Sequence, residues 1–189
     1  MAKKKKNQPE RKQAVIVING RGGVGKHSLT SFVEQYFEVR NVSSITPIKK
    51  IAADAGWNYE KDDKGRQLLA DLKNTFSRYN DLPFNYILEE YKKFVAVEQD
   101  VMFVHIREAD EIAKFRAVVP CKTLLVIRDT GKGHLDTSED TMFDYPYEYI
   151  FDNTAPLEKS GPKFLKLIKE IMKTDMELPL LEGLGTIQK

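Results

Sequence analysis

The sequence has a single cysteine and no long apolar run, and each scarcity excludes a class of protein. One cysteine, Cys121, leaves no intramolecular disulfide, which is typical of a reducing compartment. No segment approaches the roughly 18 consecutive apolar residues that a membrane-spanning helix requires. The apolar run at residues 14–18 is too short for a secretory signal and leads into glycines. We therefore expect a cytoplasmic protein without a membrane segment, in which Cys121 is a buried structural thiol.

The chain also has little net charge outside its first twelve residues. The whole sequence of 189 residues carries a formal charge of +2, while residues 1–12 contain six basic residues and one acidic residue. Residues 13–189 are therefore slightly acidic, which argues against a folded surface built for nucleic acid. We interpret residues 1–12 as a disordered basic tail, and a nucleic-acid-binding or localisation role for Lys3–Lys6 remains the alternative.

A glycine-rich loop after a short apolar run is the most informative stretch of the chain. Residues 14–19 are predicted to form a strand, and the next residues match the phosphate-binding (Walker A) pattern G-x-x-x-x-G-K through Gly20, Gly25 and Lys26. Glycines let successive backbone N–H groups point at one anion, and the following helix adds its positive end. The predicted nucleotide-binding residues are Gly20, Arg21, Gly22, Gly23, Val24, Gly25, Lys26, His27 and Ser28.

The loop departs from the usual pattern directly after its lysine. His27 stands where a Ser or Thr hydroxyl normally binds Mg²⁺, and imidazole is a poor ligand for a hard cation. Ser28 follows one residue late, about 100° further around a helix. Glu108 and Asp110 are the carboxylates that follow the third predicted strand, and Asp110 is equally suited to cap a helix. We expect ATP and Mg²⁺ as cofactors, with the metal ligands unassigned.

Apolar runs alternate with helical periodicity along the rest of the chain, which indicates βαβ units and a parallel sheet. Strands are predicted at 14–19, 41–45, 101–106, 123–127 and 147–151, and helices at 26–38, 47–55, 66–79, 81–95, 109–116 and 160–172. His105, inside the third apolar run, is interpreted as a core histidine. The fold class is α/β: one three-layer α/β/α domain at 13–173 with a five-stranded parallel sheet. Residues 57–81 are predicted as a small helical insertion, 129–145 as a short lid, and 174–189 as an irregular tail.

Arginines follow two of the predicted strands at the edge of the sheet where ligands bind. Arg107 follows the third strand and Arg128 the fourth, and cations there suit a reaction that develops charge on phosphoryl oxygens. A surface ion pair with Glu108 or Asp129 is the alternative for each arginine.

The insertion supplies further basic residues. Arg66 and Lys73 are seven residues apart, about 20° around a helix axis, and could bind a second phosphate together with Lys50. A solvated charged face, with Asp62, Asp63 and Asp71 as counter-ions, is the alternative. The aromatic pair Trp57 and Tyr59 could stack on a base or serve packing alone.

These features together resemble the nucleoside and small-molecule monophosphate kinases of the P-loop superfamily, over residues 14–172. The resemblance is to phage-type deoxynucleoside monophosphate kinases in particular, with phosphomevalonate and dephospho-coenzyme A kinases as more distant relatives. It rests on the glycine-rich loop, the insertion, the segment His105-Ile106-Arg107-Glu108 and the strand end at 149–153.

The resemblance implies ATP-dependent transfer of a phosphoryl group to a small phosphorylated acceptor, with a (deoxy)nucleoside monophosphate as the leading candidate. It implies catalytic roles for Lys26, Arg107 and Arg128, and an acceptor-phosphate role for Arg66, helped by Lys50 and Lys73. In phage-type loops an acid often follows the lysine, whereas this chain has His27. A nucleotide-binding regulatory protein without catalysis is therefore the second hypothesis. The oligomeric state is not predicted.

Overall fold

The computed structural model of the chain describes residues 13–60, 62–129 and 145–174. The strands are β1 (Ala14–Asn19), β2 (Val39–Ser43), β3 (Val101–His105), β4 (Lys122–Ile127) and β5 (Tyr149–Asp152). The helices are α1 (Lys26–Val33), α2 (Thr46–Asp54), α3 (Asp63–Asn80), α4 (Leu82–Ala96), α5 (Ala109–Arg116) and α6 (Leu157–Ile171). The predicted basic tail, most of the predicted lid and nearly all of the predicted C-terminal tail lie outside the described residues.

The five strands form one parallel sheet in the order β2-β3-β1-β4-β5. β1 lies in the centre, and all six of its residues are buried. A parallel strand covered on both faces is expected to be apolar throughout, as β1 is up to Asn19. The α/β class and the five-stranded parallel sheet predicted from the sequence are confirmed.

Alternate residues of β1 serve two separate cores, one on each face of the sheet. Val15 and Val17 pack in a core with residues of α4 and α5, whereas Ile16 and Ile18 pack in a core with residues of α1 and α6. Fully buried aromatic side chains fill both cores, among them Tyr91, Phe94 and Phe115 on the first face and Phe103 and Phe164 on the second. The arrangement gives the predicted three layers, because side chains along a strand alternate between its two faces.

The single cysteine lies in the core shared with α4 and α5. Cys121 is buried, and this burial raises the pKa of its thiol to about 12. A thiol with so high a pKa is hardly ionised at neutral pH and is a weak nucleophile.

Three helices differ from their predicted bounds by at least three residues: α1, α6, and α3, which begins at Asp63 and not at residue 66. α1 ends at Val33 and not near residue 38, because the backbone N–H groups of Gln35 and Tyr36 bond three residues back instead of four. The N–H of Glu38 then bonds the Asp100 carboxylate at 2.8 Å, which draws the chain into β2. α6 begins three residues before the predicted cap, since the N–H groups of residues 159 and 160 both bond the carbonyl of Pro156.

The insertion folds as the long helix α3, which packs against α2 and α4 and forms no strand. Its first turn is capped by Asp62, whose carboxylate accepts a hydrogen bond of 2.7 Å from the N–H of Gly65. Asp81, with a left-handed φ of 56°, joins α3 to α4. Within the described part of the chain, no helix combines the length and apolarity that crossing a membrane requires.

Candidate functional site

The glycine-rich loop lies where β1 ends and α1 begins. Gly25 is the N-cap of α1, so Lys26 and His27 are its first two residues and the positive end of the helix faces the loop. All the strands are parallel, so the residues that follow β3, β4 and β5 lie at this same edge of the sheet. The fold therefore places the loop, Arg107 and Arg128 at one edge, as the sequence predicted.

Two glycines of the loop are packed against the sheet, and two face open space. A Cβ atom at Gly20 would collide with the carbonyl oxygen of Val126, and one at Gly25 would lie 2.5 Å from Nδ2 of Asn153. Both glycines have positive φ values, 143° and 87°, which L side chains rarely adopt. At Gly22 and Gly23 nothing lies within 4 Å of an added Cβ. The loop is therefore a cradle supported from beneath and open above, as an anion site formed by backbone N–H groups requires.

The ammonium group of Lys26 lies over this cradle. Its Nζ donates hydrogen bonds to the carbonyl oxygens of Gly20 and Arg21, the latter at 2.9 Å. The Nζ atom of Lys26 therefore lies beside the backbone of the loop, where it can contact an anion bound there.

Asn19, the last residue of β1, holds the base of the site together. Its buried side chain accepts a hydrogen bond of 2.8 Å from the N–H of Gly20 and donates to the carbonyl of Arg107 at 2.9 Å. It also donates to the hydroxyl of Tyr147 at 2.7 Å. One side chain therefore connects the loop, the residue after β3 and the segment before β5. Sequence reasoning placed Asn19 at the right edge but assigned it no role.

Asn153, which follows β5, provides a second buried support. Its Nδ2 donates to the carbonyl of Val24 at 2.7 Å, and its backbone N–H donates to the carbonyl of Ile127 at 2.8 Å. The guanidinium of Arg128 lies beside the same part of the loop, with Nη1 3.9 Å from the Cβ position of Gly25. Arg128 is exposed, and its guanidinium lies next to the loop at Gly25.

His105, interpreted from the sequence as a core histidine, lies at this same edge of the sheet. It is the last residue of β3, and strand alternation puts it on the same face as Phe103, the face covered by α1. Burial, followed by the positive charges of Lys26 and His27, lowers the pKa of His105 to about 4. Its imidazole is therefore neutral at pH 7, with Nε2 3.5 Å from Oδ1 of Asn41. Residues 101–104 are apolar throughout, so the sequence carried no signal for this placement.

Among the described residues, no metal site is formed by clustered acidic, histidine or cysteine side chains alone. No group of three or more His, Cys, Asp or Glu residues in residues 13–60, 62–129 and 145–174 could hold a metal ion. The two carboxylates after β3 are otherwise engaged: Glu108 pairs with Lys73, and Asp110 accepts a hydrogen bond of 3.0 Å from the N–H of Glu111. With imidazoles at His27 and His105, this part of the site lacks the oxygen ligands that Mg²⁺ prefers.

The basic residues predicted to bind an acceptor lie in three different environments. Arg66, in the first turn of α3, is exposed. Lys50 is exposed and pairs with Asp54 one turn along α2, at 2.7 Å. Lys73 is buried, only 9% exposed, and pairs with Glu108 and Glu111 rather than with the aspartates of its own helix.

The cluster around Lys73 has two carboxylates for one lysine. Burial acts to raise the pKa of Glu108, but the charge of Lys73 and its hydrogen bond outweigh burial, so that this pKa is lowered. For Glu111 burial dominates, Glu108 adds to it, and Lys73 opposes it, which raises the pKa to about 7. One carboxylate of the pair is therefore firmly ionised, and the other exchanges its proton near neutral pH.

The aromatic pair of the insertion packs within the insertion itself. The rings of Trp57 and Tyr59 are 5.0 Å apart, and the indole Nε1 donates to the carbonyl of Glu60 at 3.0 Å. The same Nε1 would lie 2.8 Å from a Cβ atom at Gly65, so the tryptophan covers the first turn of α3. These contacts are those expected of the packing alternative for Trp57.

Comparisons with known proteins match the chain by structure and not by sequence. No family model and no curated protein matches it. A sugar kinase from Janibacter sp. HTCC2649 has a TM-score of 0.50 and 11% identity, over 83% of this chain and 95% of its own. An inferred kinase from Chloroflexus aurantiacus j-10-fl has a TM-score of 0.52 and 10% identity, over 87% and 98%. A gluconokinase from Sinorhizobium meliloti 1021 has a TM-score of 0.49 and 13% identity, over 86% and 95%.

The chain shares its three-layer α/β/α fold with solved kinases. The matches extend over most of this chain and nearly all of each solved structure, so the likeness covers the fold as a whole. At such low identity the matches concern the fold and not the reaction, because one fold carries many activities.

Proposed function

We propose that the chain transfers a phosphoryl group from ATP to a small phosphorylated acceptor, with a (deoxy)nucleoside monophosphate as the first candidate. The observation that carries the proposal is the loop: a glycine cradle supported by Val126 and Asn153 and open above, with Lys26 across its mouth. Such a cradle binds phosphate oxygens through backbone N–H groups and the positive end of the following helix.

In this mechanism the chain positions two phosphates and compensates their charge. Lys26 contacts the donor phosphates held in the loop, and Arg128, beside Gly25, compensates charge that develops during transfer. Arg107 has the same role from the end of β3, where Asn19 fixes its backbone. No protein nucleophile is needed, because positioning and electrostatic stabilisation supply most of the catalysis in phosphoryl transfer.

The acceptor would lie between the loop and α3. Arg66 is the residue we assign to its phosphate, since a guanidinium can bind a phosphate through two N–H groups. Lys50, on the neighbouring α2, is a helper in the same proposal, although it already pairs with Asp54.

A regulatory protein that binds nucleotide without turnover is the second proposal, and His27 favours it. In the described part of the chain, the position after Lys26 and the end of β3 both carry imidazoles and not oxygen ligands. Such a protein would retain ATP through the loop and show no transfer to any acceptor.

The test is a coupled assay of ADP release with ATP and Mg²⁺ against a panel of acceptors. The panel holds the nucleoside and deoxynucleoside monophosphates, phosphomevalonate, dephospho-coenzyme A and, given the sugar kinase with the same fold, unphosphorylated sugars. Lys26→Ala is the test variant, and Lys166→Ala, an exposed lysine of α6, is the matched control.

Each outcome selects one hypothesis. Acceptor-dependent turnover that is lost in Lys26→Ala and kept in Lys166→Ala supports the kinase and names its acceptor class. ATP binding that depends on Lys26 without any turnover supports the regulatory protein. Absence of both binding and turnover contradicts both proposals.

A further inference from the structure

A buried lysine connects the insertion helix α3 to the turn between β3 and α5, residues 106–108, which we call the β3–α5 corner. The Nζ atom of Lys73, on α3, pairs with Glu108 and lies 2.9 Å from Oε2 of Glu111. Glu108 is the N-cap of α5, and Glu111 lies in its first turn, 35 and 38 residues along the chain from the lysine. A buried lysine needs paired charges to offset its desolvation, so this contact fixes α3 relative to the start of α5.

The same corner is attached to the phosphate loop from its other side. The carbonyl of Arg107 accepts the hydrogen bond from Asn19, and the next residue, Glu108, pairs with Lys73. The backbone of residues 107–108 is thus held between the root of the loop and α3. Contiguous contacts of this kind are the physical means by which two parts of a protein can be coupled.

A second ion pair joins α5 to the insertion further along. Lys114 pairs with Asp81, the residue that connects α3 to α4. The Nζ of Lys114 also lies 4.3 Å from the centre of the Phe84 ring on α4. The helix α5 is therefore attached to the insertion near both of its ends, first through Lys73 and then through Lys114.

We propose that Lys73 is a positioning residue that joins α3 to the β3–α5 corner and so sets the position of Arg107 relative to the phosphate loop. This inference rests on the proposed kinase function and replaces the direct contact between Lys73 and acceptor phosphate that the sequence suggested. Two of the three ammonium donors of Lys73 already bond carboxylates, and the negative charge of these carboxylates would repel a phosphate bound beside them.

The two roles predict opposite effects of removing the carboxylates. If Lys73 bound the acceptor, the double variant Glu108→Gln/Glu111→Gln would release its charge and lower the KM for acceptor. If Lys73 positions the corner, the double variant breaks the same connection as Lys73→Met, and both raise the acceptor KM. Combining all three substitutions should then cost little more than either alone, because residues of one network act non-additively.

The experiment measures the KM for acceptor, kcat and the Kd for ATP in these variants. We expect Lys73→Met and the double variant each to raise the acceptor KM about tenfold, while the Kd for ATP stays within about twofold of wild type. Lys73→Arg should largely restore the acceptor KM. Lys64→Met, the other lysine of α3 and an exposed one, is the matched control and should leave all three constants unchanged. A lower acceptor KM in the double variant, or no change in Lys73→Met, overturns the proposal.

A second measurement does not depend on catalysis. Amide hydrogen exchange should become faster in residues 63–80 and 105–112 of Lys73→Met than of wild type, and should be unchanged in Lys64→Met. Unchanged exchange in Lys73→Met contradicts the positioning role even if no acceptor is found. Faster exchange without any turnover in wild type would instead contradict the kinase function and leave the connection established.

Discussion

Replacing Glu111 by glutamine should remove part of the pH dependence of folding stability. The pKa of Glu111 is raised from 4.5 to about 7, chiefly by burial, and its side chain is only 23% exposed. The folded protein therefore holds this proton more tightly than the unfolded chain does. The resulting stabilisation is complete below the unfolded pKa and is lost as the pH rises through 7.

The size of the effect follows from the two pKa values. Linkage gives about 3 kcal/mol at most, about 2 kcal/mol near pH 5.5 and almost nothing near pH 8.5. The lowered pKa of Glu108 acts in the opposite direction, but only near and below its ordinary value of 4.5, outside this range. The pKa of His105 is lowered to about 4 in the folded protein, so stability rises with pH as this group loses its proton in the unfolded chain. This contribution is the same in wild type and Glu111→Gln. Comparing the two proteins therefore isolates Glu111.

Urea unfolding followed by circular dichroism at about pH 5.5 and about pH 8.5 measures this quantity. Between these two pH values the wild type should lose about 2 kcal/mol of unfolding free energy more than Glu111→Gln does. Glu158→Gln, which changes an exposed glutamate of α6, should follow the wild type. If wild type and Glu111→Gln lose stability in parallel, the proton on Glu111 is not held by the fold and our account of the Lys73 cluster is wrong.

Three further predictions concern the loop, the metal and the core. Gly25→Ala should weaken ATP binding more than about 100-fold in calorimetry, because its Cβ would lie 2.5 Å from Asn153 Nδ2 at a φ of 87°. Gly22→Ala, whose Cβ would have no atom within 4 Å, is the control and should bind ATP normally. Equal losses of affinity in the two variants would refute the proposed anion-binding loop. Chelation of Mg²⁺ should change the Kd for ATP less than about fivefold, since His27 offers no oxygen ligand. A larger loss of ATP affinity would show that other residues bind the metal. Phe164→Ala should lower the free energy of unfolding by about 3–5 kcal/mol in urea titrations, because the ring is fully buried, and a loss under about 1 kcal/mol would contradict the packing.

Much of the fold could be read from local patterns. A strand and a phosphate loop are specified locally, by the apolar run ending at Asn19 and the glycines after it, without reference to distant residues. The helix α5 likewise has the bounds that its periodicity predicts, Ala109–Arg116. The end of α1 could not be read in this way. Tyr36 continues the helical spacing but is 54% exposed, because the carboxylate of Asp100, 62 residues beyond Glu38, fixes the chain's exit from the helix.

The candidate site shows the same division between local and distant information. Strand ends and the loop motif placed Arg107 and Arg128 at the correct edge of the sheet. The environment of Lys73 depends on carboxylates that follow a strand more than 30 residues later. Spacing along α3 alone suggested a basic stripe for a second phosphate, with a solvated face as the alternative. His105 was interpreted as a core histidine because an apolar run does not reveal which layer covers each side of its strand.

The burial of the only cysteine has a practical consequence for labelling. Cys121 is inaccessible, and its thiol resists ionisation, so maleimides and other thiol reagents should leave the folded protein unmodified. A cysteine introduced at an exposed position of α3, such as Arg78→Cys, would then react alone without removal of the native residue. Dyes or spin labels attached there could measure the distance between α3 and the sheet in solution.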